Sequence, residues 1–248
     1  MMVVAIAGRE LRSLFLSPLA WSVLAVVQLI LAYLFLVQLD LFFQIQPRLA
    51  GTPLGVTDVV VAPLYNSAAV VMLLVVPLIT MRLISEERRS RTLTLLFSAP
   101  VSMTEIIIGK YLGTLVFLLI MAGLVTLMPL SLAFWGSLDW GKFAACVLGL
   151  VLLLASFAAL GLFMSTVTVQ PTVAAVSTFG ALLFLWVIDV EGNKGSGGGV
   201  LTYLSILRHY QSLLEGVFSS RDVVYYLLFC ITFLGLSIHR LDGQRLQQ

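Results

Sequence analysis

Long stretches without a single charged residue alternate with short charged ones along this chain. Residues 13–39, 59–81, 111–138, 143–188 and 223–238 carry no Asp, Glu, Lys or Arg. A helix needs about 20 apolar residues to cross the hydrocarbon of a bilayer. The stretch 143–188 is long enough for two crossings. It divides at the polar run Ser165 to Gln170, followed by Pro171, which favours a turn. The pattern therefore predicts six spans, at about 19–39, 60–81, 111–135, 143–165, 171–188 and 221–238. The last is short and would draw on Arg221 and His239 reaching outward at its ends.

Shorter elements flank these spans. Leu11, Leu14 and Phe15 follow a helical spacing opposite Arg9, Glu10 and Arg12, and Pro18 bends the chain into the first span. Such a segment suits an interfacial helix. After a Gly-, Ser- and Asn-rich stretch at 192–199, Tyr203, Leu207, Leu214 and Phe218 fall near one helical face. Arg208, His209, Gln211 and Glu215 lie among the polar positions. This predicts a short helix dipping into the outer leaflet. Ser219 and Ser220 supply a cap, and Asp222 a first-turn acid, for the last span.

Composition agrees with lipid as the solvent. Of 248 residues, 60% are hydrophobic and 10% charged, against roughly 25% charged in soluble domains. No polar stretch is long enough for a separate soluble domain, so residues 1–248 form one transmembrane domain. The formal charge of +2 gives no field for nucleic acid. With both termini in the cytoplasm, nine Lys and Arg residues fall inside and five outside, as the positive-inside bias requires. The run 19–39 is span length, longer than the apolar core of a cleaved signal peptide.

Candidate chemistry is sparse. Cys146 and Cys230 sit far apart in apolar runs, which is no metal or disulfide spacing. The spans hold no ionisable residue away from their ends, unlike proton-coupled carriers. Gln28, Gln38, Asn66, Thr80, Thr126 and Ser156 line a pathway or, more simply, bond between helices. Gly136 to Lys142 has phosphate-loop spacing, but no Ser or Thr follows the lysine and no strand precedes it. Neither a metal cluster nor a nucleophile–base pair is legible, so the chain reads as non-enzymatic.

The informative segment lies between the second and third spans. Arg82, Glu86, Glu87, Arg88, Arg89 and Arg91 make it charge-dense. Leu93, Leu96 and Phe97 then form an apolar stripe outside the bilayer, which needs a cover. Ser102 and Glu105 have capping-box spacing and start a new helix. The run Val76 to Arg82, then Glu86-Glu87-Arg88, Arg91 to Leu96, Ser98 to Ser102 and Glu105 to Lys110 resembles the ABC-2 type permease family. The likeness is strongest to the bacterial branch containing the gliding-motility and copper-processing permeases. Arg91 stands where that family usually has Gly, and Thr94 where it often has Glu. Arg208 to Tyr210, Glu215 to Val217 and Arg221 to Tyr225 resemble its last outer loop.

The resemblance implies an all-α, polytopic fold with six transmembrane helices, an N-terminal interfacial helix and a cytoplasmic coupling helix between spans 2 and 3. It implies a permease subunit in the bacterial inner membrane, paired with a second permease chain in a homodimer or heterodimer. Two copies of a separate ATPase would carry the ATP and Mg, with no cofactor in this chain. The ATPase-coupling residues would be Glu86, Glu87, Arg88, Thr92, Leu93, Leu96, Phe97 and Pro100. Export of a substrate is the implied function. Two alternatives stay open: force transmission to a periplasmic or membrane accessory protein, and an ATP-independent carrier or channel.

Overall fold

The computed structural model describes residues 2–49, 55–90, 102–134, 138–192 and 205–245, and every regular element among them is helical. Helix α1 (Met2–Leu16) precedes α2 (Pro18–Leu49). A π-helical turn (Thr57–Val61) leads into α3 (Ala62–Thr80), followed by the short α4 (Ser85–Arg89). Then come α5 (Met103–Leu130), α6 (Trp140–Val167), α7 (Pro171–Gly192), α8 (Ile206–Leu214) and α9 (Ser220–Arg245). Six segments are long and apolar enough to cross a membrane: Pro18–Gln46, Thr57–Arg89, Met103–Ala133, Trp140–Val167, Pro171–Ile188 and Ser220–Gly243. The chain is thus a polytopic helical membrane protein.

Helix α6 is the central post, with α3, α5, α7, α8 and α9 all packed on it. Phe157, Leu153, Leu154 and Leu160 on α6 are fully or almost fully buried. Close approach is set by a small residue. A Cβ at Gly161 would collide with the side chain of Thr80, so α3 and α6 touch backbone to side chain at this level. By contrast α2 and α9 are peripheral, with only 17% of each span window buried.

The two ends of the bundle are pinned differently. At the end carrying the start of α3, the Lys142 ammonium pairs with Asp58, and Thr57 Oγ1 accepts from Asp139 N at 3.0 Å. Asp139 itself caps α6, accepting from the Gly141 and Lys142 backbone at 3.0 and 3.2 Å. Lys142, the lysine of the phosphate-loop spacing, lies in the first turn of α6 and is therefore a structural cation. At the other end the α3 backbone runs out before α4 begins. The Ser165 hydroxyl of α6 accepts from the backbone N–H groups of Ile84 (3.0 Å) and Ser85 (3.1 Å) and donates to the Met81 carbonyl (3.2 Å). One side chain thereby satisfies three backbone groups that the helix break would orphan.

The short helix expected after the glycine-rich stretch forms as α8, wedged against α6, α7, α9 and α3. Tyr210 Oη donates to the Tyr65 carbonyl at 2.8 Å, and Tyr226 Oη to the Ile206 carbonyl at 3.0 Å. Burial pushes the Tyr210 phenol well above its ordinary range, so it stays a donor. His209, read as a polar-face residue, is buried: its Nδ1 lies 2.6 Å from Asp222 Oδ1, and its ring stacks on Tyr225. Pairing across 13 residues lets a polar ring enter the core. The helix ends at Gly216 (φ +85°), with Gly216 N bonded to Leu213 O and Val217 N to Ser212 O, both at 3.1 Å. This Schellman closure needs the left-handed conformation glycine allows. Phe218 lies beyond it and is exposed, while Tyr203 lies outside the described residues.

Candidate functional site: the α1–α4–α5 junction

Helix α5 begins at Met103, where the capping-box spacing of Ser102 and Glu105 places a helix start ahead of the span. The capping box is formed in full: Glu105 N donates to Ser102 Oγ at 3.2 Å, and Ser102 N to Glu105 Oε2 at 3.1 Å. From this cap α5 runs unbroken past Lys110. Gly109 and Gly113 flank that lysine and present a flat strip of backbone to α1. A Cβ at Gly109 would lie 2.8 Å from Ile6 Cβ, and one at Gly113 would lie 2.8 Å from the Ala7 carbonyl oxygen. Only glycine lets the two helices come so near. Helix α1 therefore docks along α5, with Ile6, Leu11, Leu14 and Phe15 packed against the apolar core. Phe15 meets Phe117 edge-on at 5.4 Å.

This docking brings charges together. Lys110 is 2% exposed, and its ammonium lies 2.9 Å from Glu87 Oε1 on α4 and 3.2 Å from Glu10 Oε2 on α1. Arg9 Nη2 reaches the same Glu87 oxygen at 3.6 Å. A buried ammonium needs partners; two carboxylates supply them. The cluster ties three elements, α1, α4 and α5, at one point. Glu86, one residue before Glu87, turns the other way. Its side chain is 58% exposed, and Arg82 Nε stands 3.9 Å off. Arg88 is half-buried within electrostatic reach of Arg240 on α9.

Of the expected coupling residues, Glu86, Glu87 and Arg88 thus share α4, with only the Glu87 carboxylate drawn inward. Thr92, Leu93, Leu96, Phe97 and Pro100 lie outside the described residues. Sequence reasoning missed Glu10, Lys110 and Ser165. The one available signal was Lys110 itself, a lone cation between two glycines ahead of a long uncharged run.

Four of the six candidate pathway residues have partners, whereas Gln38 Oε1 is buried without a hydrogen bond. Gln28 Nε2 donates to the Met121 carbonyl at 3.2 Å, linking α2 to α5. Thr80 and Thr126 bond back to their own helices, at Val76 O and Gly123 O. Ser156 donates to Leu152 O and sits 3.7 Å from Cys230 Sγ.

A six-span helical bundle, with a docked leading helix and a charged junction after its second span, has the build of a transporter membrane subunit. The chain matches the ABC-2 family transporter proteins over residues 4–245, nearly its whole length, and belongs to that family. Among curated proteins none matches the chain closely enough to stand as a relative.

Proposed function

We propose that this chain is the permease half of an ATP-driven exporter, working as a pair of permease chains with two copies of a separate ATPase. The end bearing α1, α4 and the last turn of α9 faces the cytoplasm, in line with the Lys and Arg bias. The ATPase docks on α4 and on the apolar stripe Leu93, Leu96 and Phe97 that follows it. The observation that carries this reading is the Lys110 junction. A displacement of α4 cannot leave α1 and α5 behind without separating a buried ammonium from a carboxylate. Such separation is costly, so the three move together as a rigid body. Nucleotide-driven closure of the ATPase then reaches the spans through α4.

The test is co-purification of this chain from native membranes, with a captured ATPase identified by mass spectrometry. Leu96→Asp or Phe97→Asp is expected to abolish ATPase capture and transport, while membrane insertion and yield stay normal. Undiminished capture and transport in both variants would overturn the docking surface.

A further inference from the structure

A cavity of about 460 Å³ opens between α1, the first turn of α2, the end of α3 and α4. Its lining combines the charged Arg9, Arg82, Glu86 and Glu87 with the apolar Leu14, Leu19 and Leu78. Three acidic and three basic side chains line it, Lys110 and Glu10 included, so its charge balances. Those charges are not equally occupied. Lys110 is tightly held by two carboxylates, at 2.9 and 3.2 Å. Arg9 and Arg82 meet their carboxylates only at 3.6 and 3.9 Å, too long for good hydrogen bonds. Both guanidiniums therefore retain N–H donors for an oxyanion.

A second observation fixes the level of the cavity. Trp21, one turn into α2, is 57% exposed, and its Nε1 donates to the Phe15 carbonyl at 2.7 Å. An exposed Trp with a satisfied polar edge at the mouth of a span marks the headgroup layer. Leu19 and Ala20, which immediately precede Trp21 on α2, line the cavity, so it lies at the same level. Its ligand is therefore drawn from the membrane surface.

From this geometry we infer that the cleft between α1, α2 and α4 is a specific site for a zwitterionic phospholipid, with the phosphate between Arg9 and Arg82. The acyl chain leaves past Leu14, Leu19 and Leu78. Glu86, 58% exposed beside Arg82, favours a headgroup that also carries an ammonium, as phosphatidylethanolamine does, over a purely anionic one. The site needs no ATPase and no particular cargo, so it stands apart from the proposed function.

The experiment uses the full chain, delipidated in detergent, with native mass spectrometry and thermal melting as readouts. Phosphatidylethanolamine, phosphatidylglycerol and glycerophosphoethanolamine (the headgroup without chains) are titrated in turn. Phosphatidylethanolamine should bind most tightly and raise the melting temperature. The double variant Arg9→Gln/Arg82→Gln should weaken it about tenfold or more, and Arg208→Gln, an exposed arginine on α8 outside the cavity lining, should not. Should the double variant aggregate, Ser13→Trp, which fills the cavity from α1, replaces it with the same expected loss. Equal or tighter binding of phosphatidylglycerol overturns the assignment. So does unchanged binding in the variants, or equal binding of the chain-free headgroup.

Discussion

Ser165 shows how much one hydroxyl can carry in a membrane protein. It is fully buried at the end of α6 and serves three backbone groups where α3 gives way to α4. Ser165→Ala strands the N–H groups of Ile84 and Ser85 away from water. We expect a loss of about 1–3 kcal/mol, read as a lower melting temperature in detergent. A neighbouring change at Ser90, exposed at the end of α4, should cost far less. In the sequence, Ser165 was legible only as the first polar residue of a break between two spans. Its partners lie some 80 positions away, and a hydroxyl's reach is invisible without the fold. The same holds for Glu87. Adjacent residues on a helix point about 100° apart, so one of Glu86 and Glu87 had to face inward. Nothing in the pair itself told which. His209 was misjudged for the same reason, since its burial depends on Asp222 from another element.

At the level of elements, the charge-free intervals were enough to place the spans, because lipid tolerates so few charges. They were a poorer guide to helix ends. The third long helix starts at Met103 because the capping box closes there, and Lys110 is carried inside it by its two carboxylates. Small residues then decide how elements meet. Gly161→Ala drives a methyl into Thr80 and should destabilise the protein by about 1–3 kcal/mol through forced separation of α3 and α6. Gly123→Ala on α5 meets nothing within 4 Å and should be neutral or gain up to about 1 kcal/mol from helix propensity. Thermal melting of the two variants side by side checks the contrast. Equal effects would mean that the α3–α6 contact does not govern packing.

Over the whole molecule, the charged junction and the central α6 divide the labour. Helix α6 gives the bundle its rigid axis, and the Lys110 cluster attaches the outlying α1 and α4 to it through α5. Lys110→Met leaves the Glu10 and Glu87 carboxylates facing each other without their cation. We expect a loss of about 3 kcal/mol, seen as lower thermal stability. Adding Glu10→Gln and Glu87→Gln to Lys110→Met should restore much of it, because the only charge then left without its partner, Arg9, is 64% exposed to solvent. If the triple variant melts no higher than the single one, the cluster is not the fastening described.

The glycine strip on α5 also bears on how the chain is made. Helix α1 leaves the ribosome early, but the surface it fits, at Gly109 and Gly113, is synthesised only after two further crossings have emerged. Until then Leu11 and Leu14 lack that surface, and Phe15 has only Trp21 of α2 beside it. The nascent leading helix must wait flat on the bilayer during translation, and it locks home only when the third crossing is threaded beside it.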